Sequence, residues 1–210
     1  MKSTKEIVQE RTEESAKLRA EMEQQGYQFE DATVSMLKAN LMVFLLSVPA
    51  CAVVVWAYGG QHSILKAIEA IRHNQLFVIA VLILSIPVHE CLHGLGWYSF
   101  CKRKWKSICF GFAMRTLTPY CHCREALTVK QYYAGLLLPV TVLGFIPAAL
   151  AVLTGGPTVF FIALYNILLA GGDLAIALVI LKYFKVRARL LDHPTECGCY
   201  AFVRPQETTE

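Results

Sequence analysis

The chain has 210 residues, of which 55% are hydrophobic and 17% are charged, and its formal net charge is +4 at pH 7. This composition favours one polytopic membrane domain over a soluble globular domain. The basic residues flank apolar runs and accompany no nucleic-acid recognition element, so we expect a lipid bilayer and no nucleic acid as partner.

Residues 1–36 form a separate charged segment, which we assign as a cytoplasmic helix. Residues 1–25 are rich in Glu, Lys, Arg, Gln and Ala, with acid–base pairs at helical spacing, and Gly26 would end the helix. Its apolar stripe is thin, which favours a solvated or membrane-surface helix. A partner-binding or dimerising helix is the alternative.

Four apolar segments have the length of about 20 residues that a spanning helix needs: 41–58, 76–100, 133–153 and 158–184. The sequence therefore predicts an all-α polytopic membrane protein with four transmembrane helices in residues 37–190 and a small β-hairpin-like cytoplasmic or re-entrant loop. A polar cytoplasmic tail follows at 191–210. With both termini cytoplasmic, all of the 20 lysine and arginine residues except Lys66 and Arg72 lie inside, as the positive-inside rule favours. We expect a multi-pass protein of the cell membrane.

The second apolar segment contains the motif H-E-x-x-H, from His89 to His93. On a helix, His89 and His93 lie one turn apart on the same face, so both imidazoles can reach one metal ion. Glu90 is placed to act on a water that the metal activates. Ionised groups inside a span cost about 2.5–3.5 kcal/mol each on insertion scales, so they usually serve function. The alternative is a buried set satisfied by hydrogen bonds.

The loop after this segment has β-branched and aromatic residues with turn formers around Gly111 and Pro119, a pattern that predicts two short strands. If these strands dip towards the metal, their unpaired edge would hold an extended substrate by strand addition. A cytoplasmic loop without a catalytic role is the alternative.

Two C-x-C pairs fall on the cytoplasmic side, at Cys121 and Cys123 and at Cys197 and Cys199. They suggest either a structural zinc site or, as is usual in a reducing compartment, free thiols. His122, between the first two cysteines, is a candidate for gating or substrate binding.

The fourth apolar segment has one acidic residue, Asp173. Asp173 and His89 each lie eleven residues before the cytoplasmic end of their predicted helix, so both lie at a depth of roughly 16 Å. The equal depth favours Asp173 as third metal ligand, with His122 or Glu125 as alternatives. Asn166, two turns before Asp173, is a candidate for binding substrate or for holding a neighbouring helix.

These stretches resemble the site-2 protease clan of intramembrane zinc metalloproteases, and more closely its compact zincin peptidase relatives. The resemblance lies in HECLHG, TPYCHCREAL, LLLPVTVLGFIP, AGGDL and LDHPTECG, within residues 76–200. It implies Zn²⁺ held by His89, His93 and Asp173, with Glu90 as catalytic acid and base and a membrane-associated hairpin beside the site. The segment around Asp173 departs from the N-x-x-P…D-G pattern of the larger members, and no PDZ domain is present.

We therefore expect an intramembrane zinc metalloprotease that hydrolyses a locally extended transmembrane or membrane-proximal peptide. One alternative is a non-catalytic, metal-dependent pseudoprotease that binds membrane peptides. Another is a small metal transporter that uses the same three ligands. Glu90 favours an enzyme over the two alternatives, because holding a metal does not require this residue. The substrate sequence and the oligomeric state do not follow from the sequence.

Overall fold

The computed structural model describes residues 4–113 and 118–205. Predictions for residues 1–3, 114–117 and 206–210, at the two termini and at the turn of the hairpin, lie outside the described residues. The helices are α1 (Thr4–Gln24), α2 (Met36–Gly59), α3 (Ile64–His73), α4 (Gln75–Tyr98), α5 (Val129–Pro139), α6 (Ile146–Thr154), α7 (Pro157–Leu169) and α8 (Gly171–Ile180). The strands are β1 (Gln28–Thr33), β2 (Ile108–Ala113), β3 (Thr118–Cys123), β4 (Leu127–Thr128), β5 (Ala188–Asp192) and β6 (Gly198–Val203).

Three helical stretches in the described part are long and apolar enough to cross a membrane, Leu37–Gly59, Gln75–Tyr98 and Val129–Thr154. A fourth candidate is the pair Pro157–Leu169 and Gly171–Lys185, which is bent by 48°. These stretches match the four apolar segments of the sequence. Large apolar side chains lie exposed on α2, including Phe44 and Trp56, as expected where a helix faces lipid.

The third stretch is not a regular helix. Helix α5 ends at Pro139, a π-helical segment covers Val140–Phe145, and α6 begins at Ile146. A proline lacks the N–H of a regular helical hydrogen bond, so Pro139 and Pro147 favour this change of helix type between them.

The all-α prediction is wrong in one respect, because a four-stranded antiparallel sheet accompanies the helices. Its strand order is β1-β6-β5-β4, and it includes part of the segment that we assigned as a polar tail. Strand β6 has a neighbour on both edges, and Ala201 and Phe202 in it are completely buried. The sheet brings together the chain before α2, the chain after α8 and the loop between α4 and α5.

The charged segment that we assigned as one helix, residues 1–36, is helical only in α1 among the described residues; it also contains strand β1, and α1 packs on this sheet. Met22 of α1 shares a buried cluster with Leu191 and Phe202. Glu14 of α1 forms an ion pair of 3.3 Å with Arg124, next to the hairpin. The helix therefore covers one face of the four-stranded sheet.

The predicted hairpin is confirmed as the antiparallel pair β2–β3, in a register that places Cys109 opposite His122. The hairpin packs on α4 at Gly94, where an added Cβ would lie 2.6 Å from Phe110 Cζ. This contact holds the hairpin against α4 at the residue that follows His93.

Candidate metal centre

Three side chains from two helices converge on one point. His89 and His93 project from the same face of α4, and their Nε2 atoms lie 3.2 Å apart. Asp173, in the first turn of α8, places Oδ2 2.9 Å from His89 Nε2 and Oδ1 3.3 Å from His93 Nε2. Among the described residues this is the one group of three or more His, Cys, Asp or Glu side chains arranged to hold a metal ion.

The spacing of these donor atoms fits a zinc ion. In a tetrahedral zinc site with bonds of about 2.0–2.1 Å, neighbouring donor atoms lie about 3.3 Å apart, close to the distances in this group. Asp173 Oδ2 is buried and accepts no hydrogen bond from any described residue. Two imidazole nitrogens and one carboxylate also form a donor set that leaves a fourth position open, as catalytic zinc sites require.

The orientation of His93 is fixed by α5. Its Nδ1 lies 3.0 Å from the backbone carbonyl oxygen of Gly135. Because a carbonyl oxygen only accepts, Nδ1 carries the hydrogen and Nε2 presents its lone pair to the site. The ring also stacks on Trp97, with centroids 5.3 Å apart, and Trp97 Nε1 donates to the Tyr132 carbonyl at 3.0 Å.

The break between α7 and α8 positions Asp173. The backbone leaves the helical path at Ala170, and α8 begins again at Gly171. Gly171 packs against α2, where an added Cβ would lie 2.6 Å from Val43 Cγ1 and 2.8 Å from Ser47 Oγ. The resulting bend places the short Asp173 side chain in the first turn of a helix that faces α4.

Glu90 lies beside the three ligands. Its carboxylate is partly buried and interacts electrostatically with His89, His93 and Asp173. The backbone N–H of Cys121, on β3, faces the Glu90 carboxylate. The hairpin therefore runs directly past the residue that we predicted to be the acid and base.

Asn166 is completely buried on α7, close to the ligand helix. Its Nδ2 donates to Ser85 Oγ at 3.3 Å and to the Ile162 carbonyl at 2.8 Å. Ser85 lies one turn before His89 on α4, so Asn166 holds α7 against α4. Asn166 Oδ1 is buried and has no hydrogen-bond partner within the described residues. A role in substrate binding stays a prediction.

His122 and Glu125, the alternative third ligands, do not join the metal group. His122 is buried on the side of β3 that faces α1, with Nδ1 3.8 Å from Asp192 Oδ2. Burial and the charges of Arg11 and Arg124 lower the pKa of His122 to about 3, so the imidazole is neutral. Its role in substrate binding also stays a prediction.

Glu125 instead closes the base of the hairpin. Its carboxylate accepts from the backbone N–H groups of Lys102 at 2.8 Å and Arg103 at 2.9 Å, and from the Ser107 hydroxyl. The sequence alone presents the Glu125 carboxylate as a possible metal ligand, but these three donors engage it away from the metal group.

The two C-x-C pairs form no metal group within the described part of the chain. All eight cysteines are free. Cys123 Sγ lies 3.5 Å from Cys101 Sγ, whereas Cys199 is buried in β6. The arrangement agrees with free thiols.

Asp192, at the end of β5, is a residue that the sequence analysis missed. It accepts from the Tyr132 hydroxyl and, at 2.7 Å, from the backbone N–H of Cys123. Burial raises the pKa of the Asp192 carboxyl to about 6. It joins the sheet, α5 and the hairpin behind the site, and an isolated acid in a polar tail gives no sequence signal for that role.

A comparison with protein families matches residues 82–186, half of the chain, to a family described as "Putative zincin peptidase". The matched range contains the H-E-x-x-H motif, the hairpin and Asp173. Neither the curated proteins nor the solved structures give a match. The chain belongs to the zincin peptidase family that this description names.

Proposed function

We propose that the chain is an intramembrane zinc metallopeptidase of the site-2 protease type. The observation that carries the proposal is the convergence of His89, His93 and Asp173 beside Glu90, within helices long and apolar enough to cross a membrane. A zinc ion bound by the three ligands would supply Lewis acidity towards a water molecule and towards a peptide carbonyl.

The remaining chemistry belongs to the chain itself. Glu90 removes a proton from the attacking water and returns it to the nitrogen of the departing amine. Gly135 and Asp173 hold the two imidazoles in register, so the ligand set is formed before substrate arrives. The partial burial of Glu90 keeps bulk water away from these transfers.

The hairpin supports recognition of an extended peptide. Within the described residues, β3 pairs only with β2, so its other edge carries no strand. The N–H of Cys121 on that edge points to Glu90. The N–H of Cys123 on this edge is held by Asp192, so an extended segment laid beside the metal centre would pair through the carbonyl oxygens of β3, whereas a helical segment uses its backbone groups in its own hydrogen bonds.

Strand pairing supports four membrane crossings with both termini on one side. Strand β1 precedes the first candidate span and β6 follows the last, yet they pair directly. Strand β4, between the second and third spans, pairs with β5 after the last. Chain segments in one sheet lie on one side of a bilayer, so an even number of spans separates them. This condition is met when the bent pair α7 and α8 crosses as one span.

The substitution Glu90→Gln tests the proposal. The amide keeps the shape but takes no proton, so we expect zinc content to be unchanged and peptide cleavage to fall by about 10²- to 10⁴-fold. The assay follows fluorophore-labelled transmembrane peptides in dodecyl maltoside micelles with the purified chain. Glu69→Gln, the same chemical change on α3, is the matched control and should cleave like the wild type.

Undiminished cleavage by Glu90→Gln would refute the proposed acid and base. Zinc binding without cleavage by any variant, including the wild type, would favour the non-catalytic peptide-binding alternative.

A further inference from the structure

A basic cleft lies apart from the metal centre, at the membrane boundary. It has a volume of about 480 Å³ and is formed by the start of α5, the end of the last span and strands β4 and β5 of the four-stranded sheet. Four cationic residues line it: Lys130, Arg187, Arg189 and Arg204. The described residues that line it include no Asp or Glu.

The positive charge of this basic cleft is largely uncompensated. The side chains of Lys130 and Arg187 are exposed and form no ion pair or hydrogen bond with any described residue. Arg189 donates to the Ala126 carbonyl at 3.2 Å, and Arg204 lies over the Tyr27 ring. Neither contact neutralises a charge. Four like charges in one cleft repel each other unless an anion binds between them.

A helix terminus adds to the attraction for an anion. The first residues of α5, an 11-residue helix, line the cleft, so its positive dipole end lies there, while a capping box already satisfies the N–H groups of Thr128 and Gln131. Guanidinium and ammonium donors around a helix N-terminus are the groups that bind phosphate in proteins.

The position of the cleft indicates which phosphate it meets. The cleft lies where one candidate span begins, at Val129, and where another ends, at Lys185. Phe184 contributes to the lining, is 42% exposed and packs edge-on against Tyr133 of α5. An apolar rim beside a cationic cleft at the end of a span suits a molecule with acyl chains and an anionic head.

We propose that the basic cleft binds the phosphate headgroup of an anionic phospholipid. The proposal rests on the membrane placement of the helices and not on zinc or peptide cleavage. Bound lipid would hold the sheet, which carries Asp192, at a fixed height relative to the spans. The headgroup thereby stabilises the extramembrane part that supports the hairpin.

The test uses the full-length chain in dodecyl maltoside and measures thermal unfolding during titration with phosphatidylglycerol. Phosphatidylcholine and inorganic phosphate serve as parallel titrants. We expect phosphatidylglycerol to raise the unfolding midpoint of the wild type, with little effect of the other two. The variant Lys130→Gln/Arg187→Gln should bind phosphatidylglycerol roughly 30-fold more weakly.

The matched control is Lys102→Gln/Lys106→Gln, which removes two exposed charges on the same predicted side but outside the cleft. It should respond to phosphatidylglycerol like the wild type. Equal loss in both double variants, or loss in neither, would overturn the proposal. An equal response of the wild type to inorganic phosphate would assign the cleft to free phosphate and would overturn the lipid assignment.

If the cleft variant does not stay folded without lipid, a second measurement on the wild type tests the proposal. A photoactivatable phosphatidylglycerol, cross-linked to the wild type, should label peptides that contain Lys130 or Arg187. Labelling confined to other peptides would overturn the proposal. A soluble chain that needs no detergent would instead refute the membrane placement itself.

Discussion

At the scale of single residues, two glycines decide whether the ligands can be held. An added Cβ at Gly96 would lie 2.6 Å from the Cα of Gly135, and one at Gly135 would lie 2.2 Å from Trp97 Cδ1. The absence of both side chains lets α4 and α5 approach until His93 reaches a backbone carbonyl. The small residues therefore serve the geometry of the imidazole as well as helix packing.

Replacing Gly96 by alanine should loosen the metal centre. The new methyl group meets backbone rather than a flexible side chain, so α4 and α5 must separate, at a cost of about 1–3 kcal/mol. We expect a lower unfolding midpoint and weaker zinc binding in a chelator competition assay. The control is Gly172→Ala on α8, where no atom lies within 4 Å of the added Cβ. If Gly96→Ala bound zinc like the control, the close approach would have no role in holding His93.

The sequence indicates the side chains of the candidate centre more readily than the groups that support them. The spacing of His89 and His93 follows from helix geometry, and the equal depth of Asp173 follows from counting residues along two helices. The Gly135 carbonyl is a backbone group that every residue has, so no residue type marks it. Asp192 reaches the hairpin only because β5 folds back beneath it.

At the scale of elements, the helices were predictable and most strands were not. Apolar runs of spanning length are a local signal, and the hairpin strands β2 and β3 are close in the chain. Strands β1 and β6 pair across most of the chain, with Phe29 opposite Phe202. A short strand whose partner is so distant has no periodic pattern strong enough to identify it. The break at Ala170 is marked only by the Gly171-Gly172 pair that follows it, because glycine is a poor helix former.

Asp192 should make the stability of the folded chain depend measurably on pH. Its pKa is raised to about 6 from the ordinary value of 3.8 because the carboxyl is buried. Below the ordinary pKa the group is protonated in both folded and unfolded chains. As the pH rises through 6, ionising it costs more in the folded chain, so its contribution to stability is lost.

The variant Asp192→Asn cannot ionise and still accepts from Tyr132. Relative to the wild type, its free energy of unfolding should therefore increase by about 2 kcal/mol between pH 4 and pH 7. Denaturant unfolding of both proteins at several pH values measures this difference. Parallel pH profiles would contradict the assignment of a buried, ionising carboxyl.

At the scale of the whole molecule, the sheet constrains the topology. Charge counting in the sequence predicts both termini in the cytoplasm, and the direct pairing of β1 with β6 agrees with termini on one side. Lysine and arginine side chains give the first indication, and backbone hydrogen bonds give the second. Their agreement supports a bent but complete fourth crossing by α7 and α8.

Reporter fusions test this topology directly. A reporter that is active only in the cytoplasm should be active at either terminus and inactive when inserted after Gly60, between α2 and α3. A reporter that is active only outside should give the opposite pattern. Termini on opposite sides would contradict a fourth crossing and the sheet that joins the two ends.

The central claim is that His89, His93 and Asp173 together hold one zinc ion between α4 and α8. The most direct test is the zinc content per purified chain, measured by plasma mass spectrometry, for the wild type, His93→Ala, Asp173→Ala and Glu90→Gln. The claim predicts about one zinc per chain in the wild type and in Glu90→Gln, and a large loss in the two ligand variants. Full zinc occupancy in Asp173→Ala would contradict it.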